Sequence, residues 1–541
     1  MTQPLPPPAP YAAFQAFPAT APDASSAQAA PSHIDLLQKS YDEFPYASNP
    51  FPLSTPEHLQ AVARLFALES PAPATARVLE IGCSAGGNIL PFALRHPQAQ
   101  VVGIDLSPVQ IAQAEARVAQ LGLVNVTLHC MNLEDVTRGD TFGEFDYIIC
   151  HGVYSWVPPA VQEAIFRICR LHLAPTGVAY ISYNTYPGWK SRELVRDAMR
   201  LRAEGLTAPG DRLGYARGMV DFLAQMSGEG TLLRRTMDEI APLVRQAEPS
   251  YLLHDFLDPF NQPVYVRDFV TAARLQGVSY LGDAEPNTMF VSNHGAAIAE
   301  PLLKEVAGDQ VLLEQYMDFL TNRTFRQSLL IHPEQRRQVD YQLKSQRIQR
   351  LHYAWAADTQ GRHHPTPAND PQIGQAIQNA LDGMFPATVS FAELCAAAKS
   401  RARERGMTEA ELRLEVSAFL EELIITGQVR YAASPVTCAP AAKVADGSAL
   451  TFHAAALQPG WACNIWHEPV SLTPVEHELL QRMAEPASPA ELRQHLADAV
   501  SAGRLQFMQD GQPVTDEAGI AAAIKTSLAA LHRMRRFGLL V

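Results

Sequence analysis

The sequence predicts an α/β protein built on a doubly wound, mostly parallel sheet, with a helical middle region and a C-terminal α+β part. Three observations predict it. Between residues 77 and 183, short continuous apolar runs alternate with helical periods, as in strands buried on both faces. A turn bearing Gly82, Gly86 and Gly87 joins the first of these runs to a helix. Asp105 ends the second run, 23 positions after Gly82.

The elements follow in order. Residues 1–31 are rich in Ala, Pro, Ser and Gln, with too few large apolar groups to offset ordering entropy, and are expected to form a disordered tail. Strands are expected at 77–82, 101–105, 126–129, 145–150 and 177–183, and helices at 88–94, from Ser107-Pro108 to about Gln120, and near 160–172. Ser107 is placed to cap its helix, with Pro108 at the first helical position. These elements make a nucleoside-binding domain over 32–190.

Residues 191–360 read as a mostly helical domain without strand alternation, broken around 250–290. The polar run 361–375, with His363-His364-Pro365 and Asn369-Asp370-Pro371, reads as a linker. Beyond it, over 376–541, four hydroxyl residues precede a Glu by three places: Ser390/Glu393, Thr408/Glu411, Thr473/Glu476 and Ser488/Glu491. Four such capping boxes ahead of apolar-periodic segments predict a helix array. Three helices followed by a strand at 428–431 resemble a winged helix, and 470–541 can hold a second such unit.

Composition narrows the function classes. A chain of 541 residues exceeds one core and predicts two to four domains. Forty-three basic against 56 acidic residues, a net charge of −13, disfavour non-specific nucleic-acid binding. No stretch of about 18 uncharged apolar residues occurs, so no membrane span is expected. No Lys or Arg precedes Lys39, so the basic start of a secretory leader is missing. Seven scattered cysteines without a C-x-x-C pair predict no disulfide framework and no structural metal, and fit reduced thiols in a cytoplasm.

The chemistry is concentrated at 80–88. Glycines let the backbone approach a ligand, and helix-terminal N–H groups face it. A carboxylate at Asp105 can accept both hydroxyls of a ribose. Dinucleotide sites usually carry G-x-G-x-x-G; here the middle position is Ser84, and Glu80 stands two residues before Gly82. That carboxylate can meet the cationic amino-acid end of S-adenosylmethionine, a demand that NAD does not make. Asn132 and Leu133, after the third strand, are placed beside an adenine edge. The candidate cofactor residues are Glu80, Gly82, Ser84, Gly86, Asn88, Asp105, Leu106, Asn132 and Leu133. Tyr41 and Tyr46 are added as a lid, and His151 at the fourth strand's end, whose alternative is a hydrogen-bonded structural role.

Tyr154, Trp156, Tyr183, Tyr186 and Trp189 follow the fourth and fifth strands, whose carboxyl-end loops face the ligand crevice in such sheets. Their rings could hold an ammonium group and exclude water; the alternative is packing against the helical region. Cys83 is read as a buried filler, His254-Asp255 receives little weight as a proton relay, and Lys399, Arg401, Arg403 and Arg405 are read as solvated charge.

Five segments carry a resemblance: Tyr41 to Tyr46, Leu79 to Asn88, His151 to Val157, Ser182 to Trp189, and Tyr316 to Arg326. Over about residues 35–540 the chain resembles bacterial class I S-adenosylmethionine-dependent methyltransferases bearing a methyltransferase regulatory domain. That family includes rickettsial protein-lysine methyltransferases acting on outer-membrane proteins. The resemblance implies a seven-stranded Rossmann-like sheet, S-adenosylmethionine as cofactor, and methyl transfer to lysines of a protein substrate, with outer-membrane proteins among the candidates. Two alternatives stand: a small-molecule N- or O-methyltransferase, and a DNA-binding regulator that senses S-adenosylmethionine, which the net charge disfavours. The oligomeric state is left open.

Overall fold

The computed structural model describes residue 42 and residues 48–136, 142–258, 260–356, 370–438, 460–483, 487–509 and 511–540. The expected tail, Tyr41, Tyr46 and positions 361–369 of the expected linker lie outside the described residues.

Seven strands form the central sheet: β1 (Arg77–Ile81), β2 (Gln100–Asp105), β3 (Val126–Cys130), β4 (Phe145–Cys150), β5 (Leu173–Asn184), β6 (Ser279–Asp283) and β7 (Phe325–Ile331). Their order is β3-β2-β1-β4-β5-β7-β6. The first five are mutually parallel, and β7 runs antiparallel to both β5 and β6. Val78, Leu79, Ile81, Ile148 and Ile181 are fully buried, which explains the unbroken apolar runs. The strand order reverses between β1 and β4, so a crevice opens at their carboxyl ends.

The expectation of a strandless 191–360 is corrected. That stretch supplies β6, β7 and a further strand, β8 (His352–Trp355), so a boundary at 190 divides one hydrogen-bonded sheet. The physical reason lies in β7, whose apolar alternation is interrupted by Arg326, Gln327 and Ser328. Arg326 is fully buried, bonding Asp318 at 2.8 Å, Glu314 at 2.7 Å and Asp283 at 3.2 Å. A paired charge can stand inside a sheet, but no hydrophobic pattern reveals it. The helices expected in the same stretch are present. Trp189–Ala203, Pro209–Met226 and Leu232–Gln246 pack around Val195, Met199, Val220, Ile240 and Phe256.

The end of the expected linker is corrected too. Asp370 accepts hydrogen bonds from the Gln372 and Ile373 N–H groups, capping a helix over Pro371–Met384. The Asn-Asp-Pro sequence is a helix start with proline at its first position.

All four capping boxes form, at the helices Phe391–Glu404, Glu409–Ile425, Pro474–Arg482 and Pro489–Ser501. The first two, with Pro371–Met384 and the small sheet of β8, β9 (Val389–Ser390) and β10 (Val429–Ala432), make one winged-helix-like unit. It shares a continuous core with the central sheet, in which Phe419, Leu423 and Trp355 join Phe66 and Tyr180. The last unit has its own core of Leu479, Leu492, Leu496, Met534 and Leu539, and carries the hairpin of β11 (Trp461–Cys463) and β12 (Pro469–Ser471). No helix among the described residues is long and apolar enough to cross a membrane.

Candidate active site

The turn after β1 adopts the left-handed backbone at three places, Gly82 (φ +74°), Ser84 (φ +49°) and Gly86 (φ +80°). Ser84 thus stands where a residue without Cβ is the usual solution. Its N–H donates to Asp105 Oδ2 at 2.8 Å, anchoring the strained position. Gly87 is needed for a different reason: a Cβ there would overlap the Ser48 carbonyl, because residues 48–51 cross over the turn. Ser48 Oγ accepts from the Gly87 N–H at 2.7 Å, and Asn88 Oδ1 accepts from the Phe51 N–H at 2.9 Å.

A cavity of about 500 Å³ opens over this turn. It is lined by Glu80, Gly82, Ser84, Asn88, Asp105, Leu106, Asn132, Leu133 and His151, nine of the residues singled out for a cofactor. Gly86 is not part of the lining; it faces Leu90 of the following helix.

Glu80 is 3 % exposed. Its Oε1 accepts from Asn88 Nδ2 at 2.7 Å, while Oε2 is buried with no hydrogen-bond partner among the described residues. Burial pushes its pKa up to about 8, with the Asp105 charge adding to the rise and the Asn88 bond opposing it. A buried half-bonded carboxylate of this kind is completed by a cation. Ser84 Oγ and Gln110 Oε1, also on the cavity wall, are buried without partners among the described residues, so a polar ligand has groups waiting for it. Asp105 is half-buried; its Oδ1 accepts from the Ser107 N–H at 2.9 Å, and burial raises its pKa. Each carboxylate oxygen accepts one backbone bond and retains a second lone pair for a ribose hydroxyl. The residues present therefore fit S-adenosylmethionine: a cation-seeking carboxylate at one end and an acid for the ribose beside it.

His151 has both expected characters. It lines the cavity, its Nδ1 donates to the Tyr180 hydroxyl at 2.8 Å, and the Phe51 ring stacks on it at 3.6 Å between centroids. Tyr180 in turn donates to Gln327 at 2.6 Å. Burial lowers the His151 pKa to about 3, so the ring is neutral.

Of the five aromatic candidates, Trp156 and Trp189 line the cavity, edge to face at 6.3 Å. The other three do not, and the expectation is corrected for them. Tyr183 stacks on Phe269 at 4.1 Å, and its hydroxyl meets Ser328 Oγ at 2.9 Å. Tyr154 packs edge-on against the same Phe269 at 5.3 Å. Strand alternation turns Tyr183 to the helix-covered face, whereas Ser182 accepts from the Gly152 N–H in the crevice loop. Tyr186 donates to Glu193 at 2.6 Å and carries the Lys190 ammonium over its ring.

The far wall comes from residues the sequence reading missed: Asn184, Arg192, Tyr251, Thr324 and Phe325, with Asp255 undervalued. Asn184 ends β5 and pairs in register with Phe325, the first residue of antiparallel β7, so both meet at one sheet end. Arg192 lies one helical turn after Trp189. Asp255 sits in a π-helical turn, Leu252–Phe256, that aims it at the cavity while His254 is buried. The Tyr251 hydroxyl bonds the Asp255 carboxylate; burial and that charge push its pKa up to about 12, against Arg192. An irregular turn is a recurrent mark of functional segments, but it has no sequence signature. The adjacency of Tyr251 and Asp255 at helical spacing was the available clue.

Comparisons with known proteins agree with this geometry. Residues 78–177 match the family described as "Methyltransferase domain", 248–332 "Predicted methyltransferase regulatory domain", and 447–539 "PKMT, C-terminal winged helix domain". The uncharacterized protein RP789 of Rickettsia prowazekii is 29 % identical over 513 residues, 90 % of each chain. The uncharacterized protein RP028 of the same organism is 35 % identical over 236 residues, 43 % of this chain and 94 % of that one. The structure of PKMT2 from Rickettsia typhi in complex with AdoHcy matches with a TM-score of 0.79 at 25 % identity, covering 92 % of this chain and all of that one. The regulatory match spans Tyr251, Asp255, β6 and β7, the segments that complete both the sheet and the cavity. A crevice with a half-bonded carboxylate, on this sheet and in this domain order, makes the chain a member of the class I S-adenosylmethionine-dependent methyltransferases that carry a methyltransferase regulatory domain.

Proposed function

We propose that this enzyme methylates lysine side chains of a protein substrate. The far wall of the cavity carries the reading: Trp156, Trp189, Tyr251 and Asp255 line it together with Arg192, and the Tyr251 hydroxyl bonds the Asp255 carboxylate. Aromatic faces and one carboxylate suit an ammonium group that must be drawn in and then desolvated. The likeness to PKMT2 and to the PKMT winged-helix domain supports a protein as the carrier of that amine.

In this reading Glu80 holds the donor's ammonium, Asp105 its ribose, and Asn132 and Leu133 its adenine. The backbone of Gly82 and Ser84 gives the close approach, and Phe51 and His151 close the roof. The bound donor supplies a methyl group on a sulfonium, to be displaced in line. The protein's own work is positioning and exclusion of water. A free lysine has a pKa of about 10.4, so presenting its neutral amine at pH 7 costs roughly 4–5 kcal/mol. The apolar tryptophan walls lower that cost by disfavouring the charged form. The resemblance to rickettsial enzymes nominates outer-membrane proteins as substrates, met in the cytoplasm; the seven cysteines, none in a disulfide among the described residues, agree with a reducing compartment.

The test is incubation with methyl-labelled S-adenosylmethionine and a lysate of the source cells, with an Asp255→Asn control. Label on protein lysines, reduced in the control, is the expected result. Label confined to small molecules overturns the reading in favour of a small-molecule methyltransferase.

A further inference from the structure

The tip of the β11–β12 hairpin, residues 464–468, is one place where the last winged-helix unit meets the rest of the molecule. Trp466 Nε1 donates to the Pro386 carbonyl at 2.8 Å, and Glu468 accepts from Arg430 at 2.6 Å, so the tip is clamped to the first winged-helix unit. His467, 2 % exposed and held at φ +60°, reaches past that clamp to the glycine turn. Such a backbone is uncommon for any residue with a Cβ and persists where surrounding contacts over-determine it.

Two contacts determine it. Arg95 approaches His467 Nδ1 at 3.0 Å, and His467 Nε2 lies 2.9 Å from Asn88 Oδ1. Arginine can only donate, so Nδ1 accepts and the ring proton sits on Nε2. Burial, with Arg95 adding to it, keeps the ring neutral. His467 therefore donates to the Asn88 carbonyl oxygen, which also takes the Phe51 N–H. With its oxygen so occupied, the Asn88 amide must point its nitrogen at Glu80 Oε1, 2.7 Å away, and at Ser54 Oγ, 3.1 Å away. Three hydrogen bonds, Arg95 to His467 to Asn88 to Glu80, are all donated in one direction and end on the carboxylate whose other oxygen faces the cavity. Aligned chains of this kind polarise and strengthen one another.

We propose that His467 is a positioning residue for the methyl donor, so that docking of the C-terminal unit completes the cofactor site from 379 residues away in sequence. The proposal rests on the reading of Glu80 as the donor's ammonium partner. Docked, the hairpin tip sets the Asn88 amide and with it the orientation of Glu80. Undocked, the Asn88 oxygen loses the His467 donor and keeps the Phe51 N–H and, at 3.4 Å, the Ser54 hydroxyl. Linkage then requires that donor binding tighten the docking of the hairpin by the same factor by which docking tightens donor binding.

The experiment is calorimetry of S-adenosylhomocysteine, which retains the ammonium, with the full-length protein and three variants. His467→Leu is expected to weaken binding about tenfold and to raise the donor KM more than it lowers kcat. His467→Gln is expected to recover most of the loss, because its amide can accept from Arg95 and donate to Asn88. Hydrogen exchange of the wild-type chain is expected to slow at residues 464–468 when S-adenosylhomocysteine binds. Wild-type affinity in His467→Leu, or a Gln variant no better than Leu, overturns the proposal. So does exchange at the hairpin tip that ignores the ligand, a result independent of how the variants fold. Wild-type affinity in Glu80→Gln overturns instead the assignment of Glu80 on which the proposal rests.

Discussion

The two ends of the cavity were assembled in different ways. The donor end is local: Glu80, Gly82, Ser84 and Asn88 lie within nine residues, and Asp105 closes the adjacent strand. The acceptor end is distributed: Trp156 follows β4, Asn184 ends β5, Trp189 opens a helix, Tyr251 precedes and Asp255 lies in a π-helical turn, and Phe325 begins β7. In the proposed reading, a cofactor common to many reactions meets one compact motif, whereas the acceptor meets loops that can change separately. On that reading, the difference places acceptor choice in Trp156 and in residues spread from 184 to 325.

The comparison can be broken most directly at Asp105. Asp105→Ala removes the ribose acceptor and also the anchors of the Ser84 and Ser107 N–H groups. In the proposed reading, losing the two ribose-hydroxyl bonds to this charged group is worth about 3 kcal/mol or more, so donor affinity by calorimetry is expected to fall at least about 100-fold. Retention of wild-type affinity would show that the donor end is placed elsewhere.

Glu80 makes the same end sensitive to pH. Its folded-state pKa of about 8 lies above the ordinary value of 4.5, so the empty protein favours the protonated form. That contribution to stability is complete below pH 4.5, declines as pH rises, and is gone above about 8. Binding of a cationic donor requires the ionised form, so affinity is expected to fall up to about tenfold per pH unit below 8. Glu80→Gln is expected to flatten this part of the profile in titrations between about pH 6 and 9.

At the other end, Asp255→Asn is expected to lower kcat/KM for the acceptor about tenfold, the worth of a hydrogen bond to a charged partner. The dissociation constant of S-adenosylhomocysteine should stay within twofold or so of the wild-type value. Equal losses at both ends would merge the two halves into one functional unit.

The smallest effect is expected behind the wall. Tyr183→Phe deletes a buried hydroxyl bonded to Ser328 and keeps the ring on Phe269, so chemical denaturation should show a loss of about 1 kcal/mol with kinetics unchanged. A kinetic defect without a stability loss would return Tyr183 to the active site.

Legibility followed the same division. β1 to β4, the glycine turn, Asp105 and the four capped helices could be read because each is specified by neighbours within a few residues, through apolar runs, hydroxyl caps or proline placement. β7 could not, because Arg326 belongs in a sheet only once Asp283, Glu314 and Asp318 surround it. Tyr154 and Trp156 carried equal promise in the sequence. Their burial against Phe269 and on the cavity wall, respectively, depended on a helix more than a hundred residues away.

The amino-acid sequence by itself determined the glycine turn after β1, the acid before it and the acid ending β2, which line one cavity, because each acts over a short span of chain. Tertiary structure alone decided which aromatics line the cavity, that Asp255 lines it too, and that His467 touches Asn88. Those contacts join residues distant in the chain, and their energies exist only after the sheet, the helical region and the two winged-helix units have packed together.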